Sequence, residues 1–315
     1  MLDLLSDILT RFSLRGTLYF RTSFSGAWGV EVPEFENVAR FHLAHRGECM
    51  VKVSTTGESL RLAEGDLVII PHGASHCLLT CQQPSPPVLE LDEILEKSGY
   101  GGSGVLVYGS EDDDCDTQLI CGHFSFAAGS RHIIFDRLPP YILIRDYGQT
   151  AGKWMEASLR LIGDEAGGRK IGGDLIALKM SEVIFTQALR TFLETSSADA
   201  AGLSAFADPQ LTRALSAFHK APAEHWTVDR LARIAGLSRT GFAQLFVKKL
   251  ELTPMQYLTA WRMQLAKNEL KEHNANLAAV AASVGYASDA AFAKAFKKEC
   301  GLTPAQFRRD TNAIR

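Results

Sequence analysis

The six residues LTPMQY at 252–257 return as LTPAQF at 302–307, and the fifty-residue offset reaches well beyond that phrase. Ala232 falls on Ala282, Ser238 on Ser288, Phe242 on Phe292, Phe246 on Phe296 and Lys248 on Lys298. A chain that repeats itself in this way writes one supersecondary unit twice. Each copy reads as a short helix, a tight turn, a longer helix and a Thr-Pro start for a helix that follows. Asp208, Thr227, Ser238, Thr253, Asn276, Ser288 and Thr303 stand where helix N-caps are needed, and prolines 209, 254 and 304 occupy first helical positions. Ala232 and Ala282 supply the small residue where two helices cross, and Ala235-Gly236 and Gly285 supply the turn.

Within each longer helix the two phenylalanines are four residues apart, so they share one anchoring face. The opposite face carries Arg239, Thr240, Ala243, Gln244, Val247 and Lys248 in the first copy. In the second it carries Asp289, Ala290, Ala293, Lys294, Lys297 and Lys298. Residues near the start of such a helix reach base edges in a major groove, and later basic residues reach phosphates. Arg239 suits guanine and Gln244 suits adenine; the second copy, with small side chains and an acid at its tip, suits thymine methyls, a cytosine amino group through Asp289, or a reading of backbone shape. Ser238, Lys249 and Ser288 join these as candidate DNA contacts. The helix from Pro254 to about Lys271 spans about 27 Å. With its flanks it is long enough to hold two reading helices near one duplex turn, about 34 Å, apart.

Charge supports this division. Residues 206–315 hold 16 Lys and Arg against 9 Asp and Glu, a net of +7, while the rest of the chain holds 17 against 27, a net of −10. A basic third behind an acidic body suits a polyanionic partner.

Residues 208–309 resemble the AraC/XylS family of transcriptional regulators, through WTVDRLARIAGLSRTGFAQLFVKKLELTPMQYLTAWRMQLA and AAVAASVGYASDAAFAKAFKKECGLTPAQFRR. The resemblance implies a sequence-specific, double-stranded-DNA-binding regulator in the cytoplasm. It is usually an activator acting with RNA polymerase, often a homodimer, and often responsive to a small-molecule effector.

Residues 15 to about 145 read as short strands bounded by Gly, Pro or Ser, the pattern of a sandwich or barrel. Within them GDLVIIPHGASH fits the second cupin motif through Gly65, Pro71, Gly73 and His76. The fold class expected is therefore α+β: an N-terminal cupin-like β-barrel sensing domain (1–145), a helical dimerisation and linker segment (146–205), and an all-α domain with two helix-turn-helix motifs (206–315). In the second of these, DLIALKMSEVIFTQALRTFLETSS predicts a helix with apolar surface on more than one side. The opening MLDLLSDILTRFSLRG predicts an amphipathic helix and lacks the layout of a signal peptide.

The sequence leaves the role of the barrel open. The stretch PEFENVARFHLAHRG lacks the His-x-His pair of metal-binding cupins, and Arg40 stands where their Glu would be. His42 and His76 are expected to look into the barrel together. They are candidate ligands of a metal ion completed by Cys49, Cys121 or His123, contacts for an organic effector, or structural residues. Cys77, Cys81 and Cys121, with Cys49 and Cys115, are candidate oxidant sensors, a role that requires a depressed thiol pKa at an exposed site. The acidic run EDDDCD at 111–116 reads as a solvated loop. A metal-dependent cupin enzyme fused to a DNA-binding domain is the alternative reading, and a dimerisation scaffold without ligand is a third. No apolar stretch has the roughly 20 residues needed to cross a bilayer.

Overall fold

A computed structural model describes residues 3–11, 15–81, 87–102, 104–109, 117–125, 132–145, 165, 171–195, 202–271 and 276–313, leaving undescribed the side chains of 15, 18–20, 174, 177, 181 and 311–313. The sequence features EDDDCD and KWMEASLRLI, and Cys115, lie outside the described residues. The chain divides into two compact units. A helical unit comprises residues 1–12, 128–137 and 192–315, and a sheet unit comprises 13–127 and 138–191.

The sheet unit is a double-sheet sandwich of the jelly-roll type, and not one closed barrel. Its larger sheet holds β1 (Arg15–Phe24), β3 (Val38–Arg46), β6 (Leu67–Ile70), β9 (Val105–Tyr108), β10 (Gln118–Ser125) and β11 (Ile142–Ile144), in the order β11-β6-β3-β10-β1-β9. The smaller holds β2 (Gly29–Val32), β4 (Cys49–Val53), β5 (Ser59–Leu62), β7 (His76–Thr80) and β8 (Leu89–Glu90), in the order β5-β4-β7-β2-β8. Pairing is antiparallel except at β1–β9 and β2–β8. Strand alternation sends Phe24, Trp28, Val30, Val51, Val68, Ile70 and Leu78 into one apolar core. Helix α2 (Leu91–Ser98) buries Ile94 in it.

The helical unit begins with α1 (Leu4–Arg11), which buries Leu4, Ile8 and Leu9 as its amphipathic pattern requires. The four-residue helix α3 (Ile133–Asp136) also belongs to it, although in sequence it lies between β10 and β11. Helix α4 (Gly173–Leu193) buries Ile184, Phe185, Ala188, Leu189, Phe192 and Leu193. The Phe185 ring lies 4.4 Å from Phe124 of β10, and Glu182 accepts from the Gly16 amide at 3.3 Å. The compact units therefore differ from the three-part division read from the sequence: most of α4 is counted with the sheets, and two short N-terminal pieces with the helices. The cause is packing between segments distant in the chain, which leaves no local signature.

The remaining helices are α5 (Pro209–Lys220), α6 (Val228–Ala235), α7 (Arg239–Leu250), α8 (Pro254–Leu270), α9 (Leu277–Ser283), α10 (Asp289–Cys300) and α11 (Pro304–Ala313). Each N-cap expected for these seven helices accepts a backbone N–H of the following turn: Asp208, Thr227, Ser238, Thr253, Asn276, Ser288 and Thr303; Asp174, read from the sequence as the cap of α4, lies inside that helix, which begins at Gly173. The repeated phrase acquires a physical meaning here. Thr253 accepts from the Gln256 amide while the Gln256 side chain accepts from the Thr253 amide, and Thr303 and Gln306 repeat both bonds. Each LTP-x-Q therefore writes a reciprocal capping box with proline at the first helical position.

One register differs from the fifty-residue reading. The turn glycines are Gly236 and Gly285, so before the turn the offset is 49, and Leu237 N to Ala232 O corresponds to Tyr286 N to Ala281 O. The buried small residue of the second copy is consequently Ala281, at 1% exposure, and Ala282 is exposed. One extra residue between turn and cap, Ala287, restores the offset of 50 at Ser288.

Both turn glycines are left-handed, with φ of +73° and +81°. A β-carbon at Gly236 would meet only the end of the Arg213 side chain at 3.5 Å, whereas at Gly285 it would lie 2.6 Å from the Ala223 carbonyl oxygen. Gly236→Ala should therefore cost about 1 kcal/mol, and Gly285→Ala about 2–4 kcal/mol, because a backbone clash adds to the strain. Urea unfolding of the two variants measures the difference, and equal losses would contradict it.

Candidate nucleic-acid interface

The two longer helices of the repeat present matching faces. In α7, Phe242, Phe246 and Leu250 are buried, and in α10, Phe292 and Phe296 are buried. The paired rings stand 5.6 Å apart in both copies. The next aromatic of the repeated phrase completes each anchor: Tyr257 lies 5.9 Å from Phe246, and Phe307 lies 5.7 Å from Phe296. These edge-to-face contacts fix the rotation of each helix about its axis.

With one face anchored, the other is exposed. Arg239, Thr240, Gln244, Val247 and Lys248 are exposed on α7, and Asp289, Ala290, Lys294, Lys297 and Lys298 on α10. Ser238 accepts from Gly241 N at 3.1 Å and Ser288 from Ala291 N at 3.2 Å. Each hydroxyl thus caps its helix and keeps its proton to donate elsewhere. Arg239 is held loosely, its Nε 3.8 Å from Asp229 with both side chains mostly exposed, a contact worth little in water. The amide-bearing helix starts and the lysines of the later turns make both faces attractive to phosphate. Lys249 is placed differently from Lys248. It falls seven residues after Phe242 and three after Phe246, which turns it toward the anchored side, and it is half-buried.

Arg262 of the connecting helix α8 carries no signal in the sequence. Its Nε donates to Pro222 O at 2.8 Å and its Nη2 to Glu224 O at 2.9 Å, and its guanidinium lies 6 Å or less from the Tyr286 ring, at 5.9 Å. One side chain thereby joins the loop ahead of α6 to the turn ahead of α10.

In the sheet unit, His42 and His76 do meet inside the sandwich, at 3% and 0% exposure. His76 Nδ1 donates to the Ala74 carbonyl at 2.9 Å, so its Nε2 accepts from His42 Nε2–H at 2.7 Å. His42 Nδ1 then accepts from the Cys121 thiol at 3.1 Å. Every member of this chain is satisfied while all three groups are neutral. Burial pushes the pKa of His42 well down and that of His76 down to about 4. The nearby Arg40 charge adds to both shifts.

This geometry bears on the ligand readings. Nitrogens on a tetrahedral zinc sit about 3.3 Å apart, given bonds of 2.0–2.1 Å, which is wider than this pair. Arg40 also repels a cation. Among the described residues no group of three His, Cys, Asp or Glu could hold a metal ion. The adjoining cavity, walled by Thr22, Arg40, His42 and Cys121, has about 20 Å³. That is room for one water, against the hundreds of Å³ of an organic-ligand site.

The thiols of the sheet unit are shifted by their surroundings. Burial raises Cys121 to about 12, raises Cys49 further, and raises the half-buried Cys77 and Cys81. A sensing thiolate needs a shift the other way.

The chain matches the family model described as cupin over residues 3–194 and that described as helix-turn-helix domain over residues 231–310. It is 32% identical to an AraC-like transcription regulator of Streptomyces antibioticus over 98% of this chain and 99% of that one. It is 26% identical to the RCS-specific HTH-type transcriptional activator RclR of Escherichia coli over 98% of this chain and 97% of the relative. It is also 26% identical to the HTH-type transcriptional regulator AlkR of Acinetobacter baylyi over 98% and 100%.

The buried histidines set a pH dependence. His42 and His76 are neutral in the fold and titrate near pH 6.5 when unfolded, so the unfolded chain binds more protons between about pH 6.5 and 4. Stability contributed by these groups is present above that window and is lost as pH falls through it. Urea midpoints should drop from pH 7 to pH 4.5, and the slope should flatten in a His42→Leu/His76→Leu chain. A midpoint that rises on acidification would contradict this.

Proposed function

Because the chain belongs to the AraC-type family of transcriptional regulators, we propose that it reads duplex DNA with α7 and α10 as a pair. The observation that carries this reading is the doubled face: two helices, each anchored by a phenylalanine pair, expose polar starts and basic later turns in the same register. Arg239, Thr240 and Gln244 contact base edges from α7. Asp289, Ala290 and Lys294 enter the groove from α10 with smaller side chains, so this head reads shape and thymine methyls more than guanine. Lys248 and Lys298 contact phosphate, and Ser238 and Ser288 donate to phosphate from the helix starts.

The activity is binding without catalysis, in the cytoplasm, and the outcome is activation through RNA polymerase, in keeping with the naming of RclR as an activator. The closed His42–His76 pair supports no enzyme site. The protein acts as a homodimer whose contact includes α4, where Leu175, Ile176 and Val183 are 59%, 43% and 50% exposed. No described helix is long and apolar enough to cross a membrane.

Selection of duplexes from a random pool tests the reading. Arg239→Ala and Gln244→Ala should each relax preference at one or two positions by about 1–3 kcal/mol. Lys248→Ala and Lys298→Ala should weaken binding to all duplexes alike and reduce the slope of log affinity against log salt by about 0.9 each. Unchanged base preference in Arg239→Ala would overturn its assignment.

A further inference from the structure

The helical unit contains a pocket of about 410 Å³. Its wall of aromatic rings is made by His132, Tyr257 and Trp261, each at most 5% exposed. They are fixed by a directed chain of hydrogen bonds. The Ile134 amide donates to His132 Nδ1, so His132 Nε2–H donates to the Tyr257 oxygen at 3.1 Å. The Tyr257 hydroxyl then donates to His219 Nε2 at 2.8 Å, and the His219 ring stacks on Trp261 at 3.9 Å. A wall held in this way is formed before any ligand arrives.

The charged groups at the pocket balance. Arg137 and Lys267 stand against Asp136 and Glu299. The Arg137 guanidinium lies 3.4 Å from Glu251, and Lys267 hydrogen-bonds the Cys300 thiol. The pocket therefore has no net charge to match with a simple anion or cation. Its volume falls in the range of small-molecule sites, whereas the cavity beside His42, among the described residues, holds one water.

We propose that this pocket is the effector site and takes an uncharged or zwitterionic organic molecule with a planar apolar body. The proposal rests on the regulatory reading above and places the effector in the helical unit instead of the sheet interior. The position gives the ligand something to act on. The pocket is bounded by the connecting helix α8, by Leu252 just past the end of α7, and by Glu299 and Cys300 at the end of α10. An occupant thus touches the framework of both reading helices at once. It also touches α3, the segment inserted between β10 and β11 in sequence.

Cys300 reports occupancy directly. The full-length protein is treated with N-ethylmaleimide with and without indole, an uncharged planar probe, and labelling of each cysteine is followed by mass spectrometry. Indole at twice its Kd should slow labelling of Cys300 by about threefold and leave Cys77, in the sheet unit, unchanged. Ala260→Trp, which fills the pocket from α8, should slow Cys300 labelling on its own and abolish the effect of indole. Ala260→Leu serves the same purpose if the larger side chain prevents folding. An unchanged Cys300 rate in millimolar indole, or equal slowing at Cys77, overturns the proposal. Neither arm reads DNA binding, so failure of the DNA-reading assignment would leave this result standing, and the reverse also holds.

Discussion

The packing of one aromatic ring on a pair of others, made twice, is the constraint from which the rest of the helical unit follows. A twelve-residue helix that must lie in a groove can bury only one face. That face has to be pinned strongly enough to fix the helix rotation. Phe242 and Phe246 do this against Tyr257, and Phe292 and Phe296 do it against Phe307. The exposed residues of α7 and α10, Val247 and Ala290 apart, include the charged and polar side chains because the buried ones have already settled which side faces out. The capping boxes at Thr253 and Thr303 then start the following helices at the position that delivers the third ring. The repeated phrase is thus one device for orienting a reading helix, written once per head.

Much of this was legible in the sequence because it is local. Cap residues, first-turn prolines and phenylalanines four apart act over a single turn of helix, and from Asp208 onward all took their expected places. The exposure of Arg239, Gln244, Lys248, Lys294 and Lys298 followed from the same spacing. Lys249 is half-buried, nearer the anchored side than Lys248. The 49-residue offset before the turn was hidden by an alanine-rich stretch, where Ala281 and Ala282 are interchangeable on paper and only one faces the crossing.

The candidate sensing groups were legible in position and not in state. Strand alternation correctly sent His42 and His76 inward. Their mutual hydrogen bond depends on how closely two sheets approach, which is a matter of core packing between residues distant in sequence, such as Phe24, Val30 and Leu78. The thiols were raised, not lowered, because burial leads the shift, joined by Glu31 at Cys77 and by Glu48 at Cys49 and Cys81. Arg262 and the pocket beside Trp261 had no signature at all, since they join residues from four separate stretches of chain. What they have in common is α8. It carries Tyr257, Trp261, Arg262 and Lys267 in under three turns, and so serves as anchor, pocket wall and tie between the two heads.

The central claim is that α8 holds α7 and α10 in one fixed phase on the duplex. Binding of the full chain to a selected duplex, compared with the same duplex carrying five extra base pairs between the two contacted elements, tests it most directly. Half a helical turn moves the second element to the opposite face, so affinity should fall at least about tenfold, a loss of about 1.4 kcal/mol or more. Equal affinity for the two duplexes would show that the two helices do not read DNA as a rigid pair.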